Sequence, residues 1–182
     1  MNLYFLRHAS AGVRRKNPLL DVKRPIDREG KQHCLELAHV MNALKINFDL
    51  IVSSPLKRSL QTASLLATET GYEAAILQTK CLEPEATMDD FQQLLKEVRD
   101  RENILLVGHN PNLTQFLGAL LVPHGPRQKD APIAMIRLRK GALGRVSITQ
   151  GPAVLMSLLD PRTVKALYAT STKSSRRKTS KK

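Results

Sequence analysis

Short continuous apolar runs alternate along this chain with longer stretches whose apolar residues recur every three or four positions. Asn2 to Leu6, Phe48 to Val52 and Asn103 to Val107 are the clearest runs, and their length and aliphatic or aromatic character predict strands buried on both faces. Asp27 is a suitable cap for a helix that repeats Cys34, Leu37, Ala38, Met41 and Leu44. Ser53-Ser54-Pro55 supplies a capping serine and a first-turn proline for a second helix, whose stripe of Leu56, Leu60, Ala63 and Ala67 stops at Gly71. A third helix is predicted from Met88 to Arg101 on Phe91, Leu94, Leu95 and Val98. A fourth, capped by Asn110 with Pro111 at its first position, carries Leu113, Phe116, Leu117, Leu120 and Leu121 as far as Pro123. Ala75 to Gln78, Pro132 to Leu138 and Arg145 to Gln150 read as further strands, the last two joined through Gly141 and Gly144. A closing helix covers Pro161 to Tyr168, and the basic stretch Ser10 to Arg24 reads as a loop. Strand and helix in alternation predict an α/β fold with a mostly parallel central sheet and helices on both faces.

Composition sharpens this picture. A chain of 182 residues, 42% hydrophobic, suits one domain, residues 1–170, with a core of its own. Six of the thirteen net positive charges fall in the last ten residues, so 13 less 6 leaves +7 for the body. Residues 171–182, rich in Ser, Thr, Lys and Arg, have too little apolar surface to offset their ordering entropy and are expected to form a disordered basic tail. Such a tail can attract polyanions in a salt-dependent way. No apolar run approaches the roughly 20 residues of a membrane span, and Arg7 interrupts anything resembling a signal peptide, so a soluble, cytoplasmic protein with no membrane contact is expected. Cys34 and Cys81 have no metal-type spacing and read as two free, buried thiols. His33 and His39 lie six residues apart on the first long helix, which does not make a ligand pair, and His124 has no assignable role.

Chemistry gathers where the strands end. The first run ends in Arg7-His8, the run at Asn103 ends in Gly108-His109-Asn110, and the helix after the run at Phe48 brings Arg58 on its first turn. In a parallel sheet these carboxyl ends share one side of the molecule, where ligands bind, and Arg24 can point there from its loop. Forked guanidiniums suit phosphate oxygens. A neutral histidine among them can attack phosphorus, which makes His8 the candidate nucleophile, with arginines and His109 stabilising charge. The guanidiniums should also hold the His8 imidazole below its ordinary pKa.

Arg7-His8-Ala9, Ser53-Ser54-Pro55-Leu56-Lys57-Arg58 with Gln61-Thr62-Ala63, and Gly108-His109-Asn110 resemble the signature segments of the histidine phosphatase superfamily, over Asn2 to about Gln150. Arg24-Pro25, Leu82-Glu83-Pro84 and the short chain resemble its SixA-type branch, the phosphohistidine phosphatases. The resemblance implies a three-layer α/β/α sandwich and phosphorylation of His8, with no metal and no cofactor. It also implies a phosphate pocket lined by Arg7, Arg58 and His109, with Arg24 and Asn110 assisting substrate binding.

Two competing readings differ in class. A metal-dependent phosphoesterase needs several carboxylates and histidines, whereas arginines beside His8 and His109 would repel a divalent cation. A phosphate- or polyanion-binding module without turnover would use the same pocket, and retention of both histidines argues for catalysis. As substrate, the phosphohistidine of a phosphotransfer protein comes first, because imidazole, with a pKa of about 6.5, leaves without a dedicated acid. Small phosphate esters, nucleotides and polyphosphate follow; ester cleavage calls for an acid to protonate an alkoxide, and Glu83 and Glu85, which read as loop carboxylates, occupy the region from which one could come.

Overall fold

The computed structural model describes residues 1–122, 136–150 and 153–179. A six-stranded sheet is built from β1 (Asn2–Arg7), β2 (Leu50–Ser53), β3 (Leu77–Gln78), β4 (Asn103–Gly108), β5 (Leu143–Ser147) and β6 (Val154–Leu159), in the order β3-β2-β4-β1-β5-β6. The strands β3, β2, β4 and β1 are mutually parallel, while β5 runs antiparallel to β1 and β6 antiparallel to β5. The helices are α1 (Pro18–Val22), α2 (Arg28–Ala43), α3 (Lys57–Thr70), α4 (Met88–Glu97), α5 (Asn112–Leu121) and α6 (Pro161–Thr179).

Alternation along the strands divides the core into two layers. Tyr4, Leu6, Ile51, Leu105 and Val107 face Leu37, Met41, Ala63, Leu66 and Val164 of α2, α3 and α6. Leu3, Phe5, Val52, Ile104 and Leu106 face Phe91, Leu94, Phe116 and Leu117 of α4 and α5. There Phe91 stacks on Phe116 with ring centroids 4.5 Å apart. This is the expected three-layer arrangement around a mostly parallel sheet.

Several boundaries depart from the sequence reading, each for a local reason. The stretch expected to be a loop holds α1, capped by Asn17, whose side chain accepts from the Leu19 amide at 3.0 Å. The strand expected from Pro132 lies partly outside the described residues, and its described part, 136–138, is irregular. The Leu138 carbonyl there receives the side chains of Arg7 and Asn110 instead of a strand partner. The sheet gains β6, an apolar run exposed except at Leu159, which the sequence reading left unassigned. The third predicted helix stops at Glu97, before the polar run Arg99-Asp100-Arg101. Beyond Tyr168 the backbone stays helical to Thr179, into the residues expected to be disordered, with no Gly or Pro to interrupt it. His124 lies outside the described residues.

Both cysteines are free, Cys34 buried and Cys81 half-buried. His33 donates from Nε2 to the Gly141 carbonyl at 2.8 Å, and His39 meets the Tyr168 ring edge-on. Gly141 has φ 79°, and a Cβ there would lie 2.3 Å from the His33 ring, so this turn requires glycine. No described helix is long and apolar enough to cross a membrane.

Candidate active site

Register delivers the site. Arg7 on β1 is level with Gly108 on β4, and Ser53 on β2 is level with Val107, so His8, His109 and Ser54 leave the sheet side by side. The His8 amide still reaches the Gly108 carbonyl at 3.0 Å, and the Ser54 amide reaches that of Val107 at 2.9 Å. The rings of His8 and His109 lie 5.0 Å apart, inclined by 55°. Arg58 enters from the first turn of α3, and that turn is fastened to the strand end by Thr62, which accepts from the Ala9 amide at 3.1 Å and donates to the Arg58 carbonyl at 2.7 Å. Arg7, His8, Arg58 and His109 line one cleft of about 930 Å³ together with Arg24, Asn110, Glu83 and Glu85.

Both histidines are buried and neutral. His8 Nδ1 donates to the Ala9 carbonyl at 2.8 Å, which leaves Nε2 with its lone pair, the form a nucleophile needs. Burial pushes its pKa down to about 3, and Arg58, Arg7 and Lys140 add to that against the opposing bond to Ala9. The direction matches the sequence expectation, but the leading cause is burial and not the guanidiniums. His109 is held at about 2, again first by burial and then by His8, Arg58, Arg7 and Arg24. Its Nε2 sits 3.0 Å from the Ser54 hydroxyl and 3.1 Å from that of Ser59. Ser54 Oγ already accepts from the Leu56 amide at 3.3 Å, so its proton is free to go to His109 Nε2. That pairing assigns the ring proton to Nδ1, a buried position with no hydrogen-bond partner among the described residues. Arg7 Nε and Arg58 Nε are buried and unpartnered in the same way. Leaving such a donor unpaired costs about 1–3 kcal/mol. The three residues that carry these donors all line the cleft an oxyanion would enter.

The sequence-predicted residues divide into a central group and a supporting pair. Arg24 lines the cleft, but its guanidinium is engaged with Asp21 at 2.8 Å and with the Ala11 carbonyl at 2.7 Å. Asn110 does not cap α5, which begins at Asn112; its amide donates to the Leu138 carbonyl at 2.8 Å, leaving a buried Oδ1 without a partner among the described residues. Ser54 likewise does not cap α3, whose N-cap is Leu56. Sequence reasoning missed Asp21, which also touches Arg58 at 3.5 Å, as well as Ser54, Ser59, Thr62 and Lys140 in their present places. Ser54 and Thr62 belong to the motif segments and were the available signal, whereas Ser59 lies between those segments. Among the described residues no three His, Cys, Asp or Glu side chains are grouped so as to hold a metal ion.

The family model described as histidine phosphatase superfamily (branch 1) matches residues 3–103. The chain belongs to the histidine phosphatase superfamily. This histidine phosphatase is 33% identical over 148 residues to an uncharacterized protein of Picosynechococcus sp. (strain ATCC 27264 / PCC 7002 / PR-6), covering 78% of this chain and 87% of that one. Its fold matches the protein histidine phosphatase SixA complexed with tungstate at a TM-score of 0.76 and 17% identity, over 90% of this chain and 99% of that one. It also matches a mycobacterial glucosyl-3-phosphoglycerate phosphatase complexed with VO3, at a TM-score of 0.65 and 18% identity, over 86% and 97% of the two chains.

Proposed function

We propose that this histidine phosphatase is metal-independent and removes phosphate from the phosphohistidine of a phosphotransfer protein through a phosphoenzyme on His8. The observation that carries the proposal is His8 itself: a neutral ring with Nδ1 tied to Ala9 and Nε2 free, in a cleft that also holds Arg7, Arg58 and His109. In the first half-reaction Nε2 attacks phosphorus, the substrate's P–N bond breaks, and the leaving imidazole takes up a proton. In the second, water attacks the phosphorus on His8, the enzyme's P–N bond breaks, inorganic phosphate departs, and the lone pair returns to Nε2. Arg7, Arg58 and the Nδ1–H of His109 stabilise the equatorial oxygens throughout. Guanidiniums thereby take the part that a divalent cation plays elsewhere. Arg24 and Asn110 help shape the binding wall.

The substrate assignment is supported by the open, cationic cleft and by the resemblance to SixA proteins. A second reading, hydrolysis of small phosphate esters, is favoured by Glu83 and Glu85, which both line the cleft and could protonate an alkoxide. A panel of phosphohistidine protein, aryl phosphate and polyphosphate separates the readings: selective turnover of the first upholds the proposal, and a strong preference for the ester, lost in Glu83→Gln or Glu85→Gln, replaces it. The basic residues beyond 170 would add salt-sensitive attraction for polyanionic partners.

A further inference from the structure

The segment from Gly12 to Leu20 is exposed at every position, although it carries large apolar side chains. Val13 is 89% exposed, Leu19 76%, Leu20 51% and Val22 47%, and α1 contains no buried residue. Polar bonds hold the segment to the protein. Asp21 accepts from the Arg15 amide at 2.9 Å and from Arg24 at 2.8 Å, its carbonyl accepts from Arg58 at 3.3 Å, and Asn17 caps the helix. These bonds fix α1 against Arg58 while turning its apolar residues outward. Around them stand Arg14, Arg15, Lys16 and Lys23. Arg14, Arg15, Lys16, Pro18 and Val22 also line the catalytic cleft. A second groove of about 400 Å³, walled by Val13, Arg24 and Ile26, shares Gly12, Arg14 and Arg15 with that cleft.

We propose that Val13 to Lys23 forms a docking surface for the protein that carries the phosphoryl group, a partner whose phosphorylated histidine is flanked by apolar and acidic side chains. The inference rests on the phosphohistidine-protein reading and names the surface that would recognise such a substrate. An exposed apolar patch ringed by one sign of charge marks an interaction site. Its continuity with the cleft means that whatever covers it must present its phosphoryl group to His8 at the same time, which a small phosphate cannot do and a protein can.

The test compares wild type with Leu19→Ser/Leu20→Ser on two substrates: a phosphotransfer domain phosphorylated on histidine, and free phosphohistidine. Thermal melting of the variant, whose altered residues are exposed, confirms that it folds. The expected result is a fall of about tenfold or more in kcat/KM on the domain, mainly through KM, with turnover of free phosphohistidine within about twofold of wild type. Equal kinetics of both enzymes on the domain would overturn the docking surface and leave the phosphatase reading standing. An equal loss on both substrates would overturn it too, by showing that α1 serves the cleft and not a partner. Wild-type enzyme that hydrolyses free phosphohistidine but not the domain would refute the protein substrate and the docking surface together. Inactivity on both substrates would refute the phosphohistidine reading as well. Binding to phosphatidylglycerol vesicles that the variant loses, with unchanged kinetics on the domain, would reassign the patch to a membrane.

Discussion

Two buried neutral histidines make stability depend on pH below the ordinary imidazole range. In the unfolded chain each imidazole titrates near its ordinary value of about 6.5, whereas in the folded protein His8 is held at about 3 and His109 at about 2. As pH falls below that ordinary value the unfolded state takes up protons that the native state refuses. The contribution of each ring is therefore complete above about pH 6.5 and is lost progressively as pH drops toward the folded values. Between pH 7 and about pH 4.5 the linkage amounts to roughly 2.5 kcal/mol per histidine, or about 5 kcal/mol for the pair. That is comparable with the whole stability of a domain at the low end of about 5–15 kcal/mol. Stopping near pH 4.5 keeps Asp21 and Asp27 ionised. Burial raises both carboxyls, but hydrogen bonds outweigh it, from Arg24 and the Arg15 amide to Asp21 and from Gly30, Ser10 and Gly12 to Asp27. Urea midpoints would be measured across this range without phosphate, because an anion bound to the native state would add its own stabilisation. His8→Asn, whose amide can still reach the Ala9 carbonyl, and His109→Gln should each flatten the pH dependence by about half. Parallel curves for wild type and both variants would refute the claim that these rings are buried and neutral.

Other outcomes follow from the same geometry. His8→Ala should abolish turnover together with an acid-labile, base-stable phosphoryl adduct trapped by rapid quench; phosphate found on serine or aspartate of the wild type would disprove the nucleophile. Arg58→Ala should lower kcat/KM by about 10² to 10³, the range for removing a preorganised charge-stabilising donor, and steady-state kinetics that change less than tenfold would count against its place at the phosphate. Activity should persist in excess chelator, and loss that a divalent ion restores would reinstate a metal mechanism. Ser54→Ala/Ser59→Ala should lower kcat more than it raises KM, because His109 loses the partners that keep its proton on Nδ1; an unchanged rate would show that the tautomer is set otherwise.

Much of the fold was legible because its central strands are buried on both sides. Asn2–Arg7, Leu50–Ser53 and Asn103–Gly108 read as unbroken apolar runs, and α2 through α5 bury stripes at helical spacing. Legibility fades where burial does. β3 pairs over only Leu77–Gln78 and α1 has no apolar face turned inward, so neither carried its full signal, whereas the edge strand β6, Val154–Leu159, did offer an apolar run although nearly all of it is exposed. Asn17-Pro18 was nevertheless a readable helix start. Within the site, Arg7, His8, Arg58 and His109 came together because each follows directly from a strand end or a first helical turn. Arg24 came only part of the way, since Asp21, three residues earlier, claims its guanidinium.

The failures of local rules concentrate where the chemistry is. Ser54 and Asn110 stand where a helix cap is expected, yet neither serves its own helix: Ser54 bonds to His109, and Asn110 to Leu138 beside Arg7. α3 starts two residues later and α5 one residue later than these capping residues suggest, and the polar atoms so released bond within the site instead. Burial leading the guanidiniums as the cause of neutrality has a mechanistic consequence. A ring kept neutral chiefly by desolvation keeps its lone pair when Arg58 is removed, so the deficit of that variant falls on the phosphoryl group's charge and not on the supply of nucleophile. The division of labour is thus spatial: strand ends bury His8 and His109, while α3 and the first strand's last residue bring the cations to the cleft, where the proposed mechanism has them meet the oxyanion.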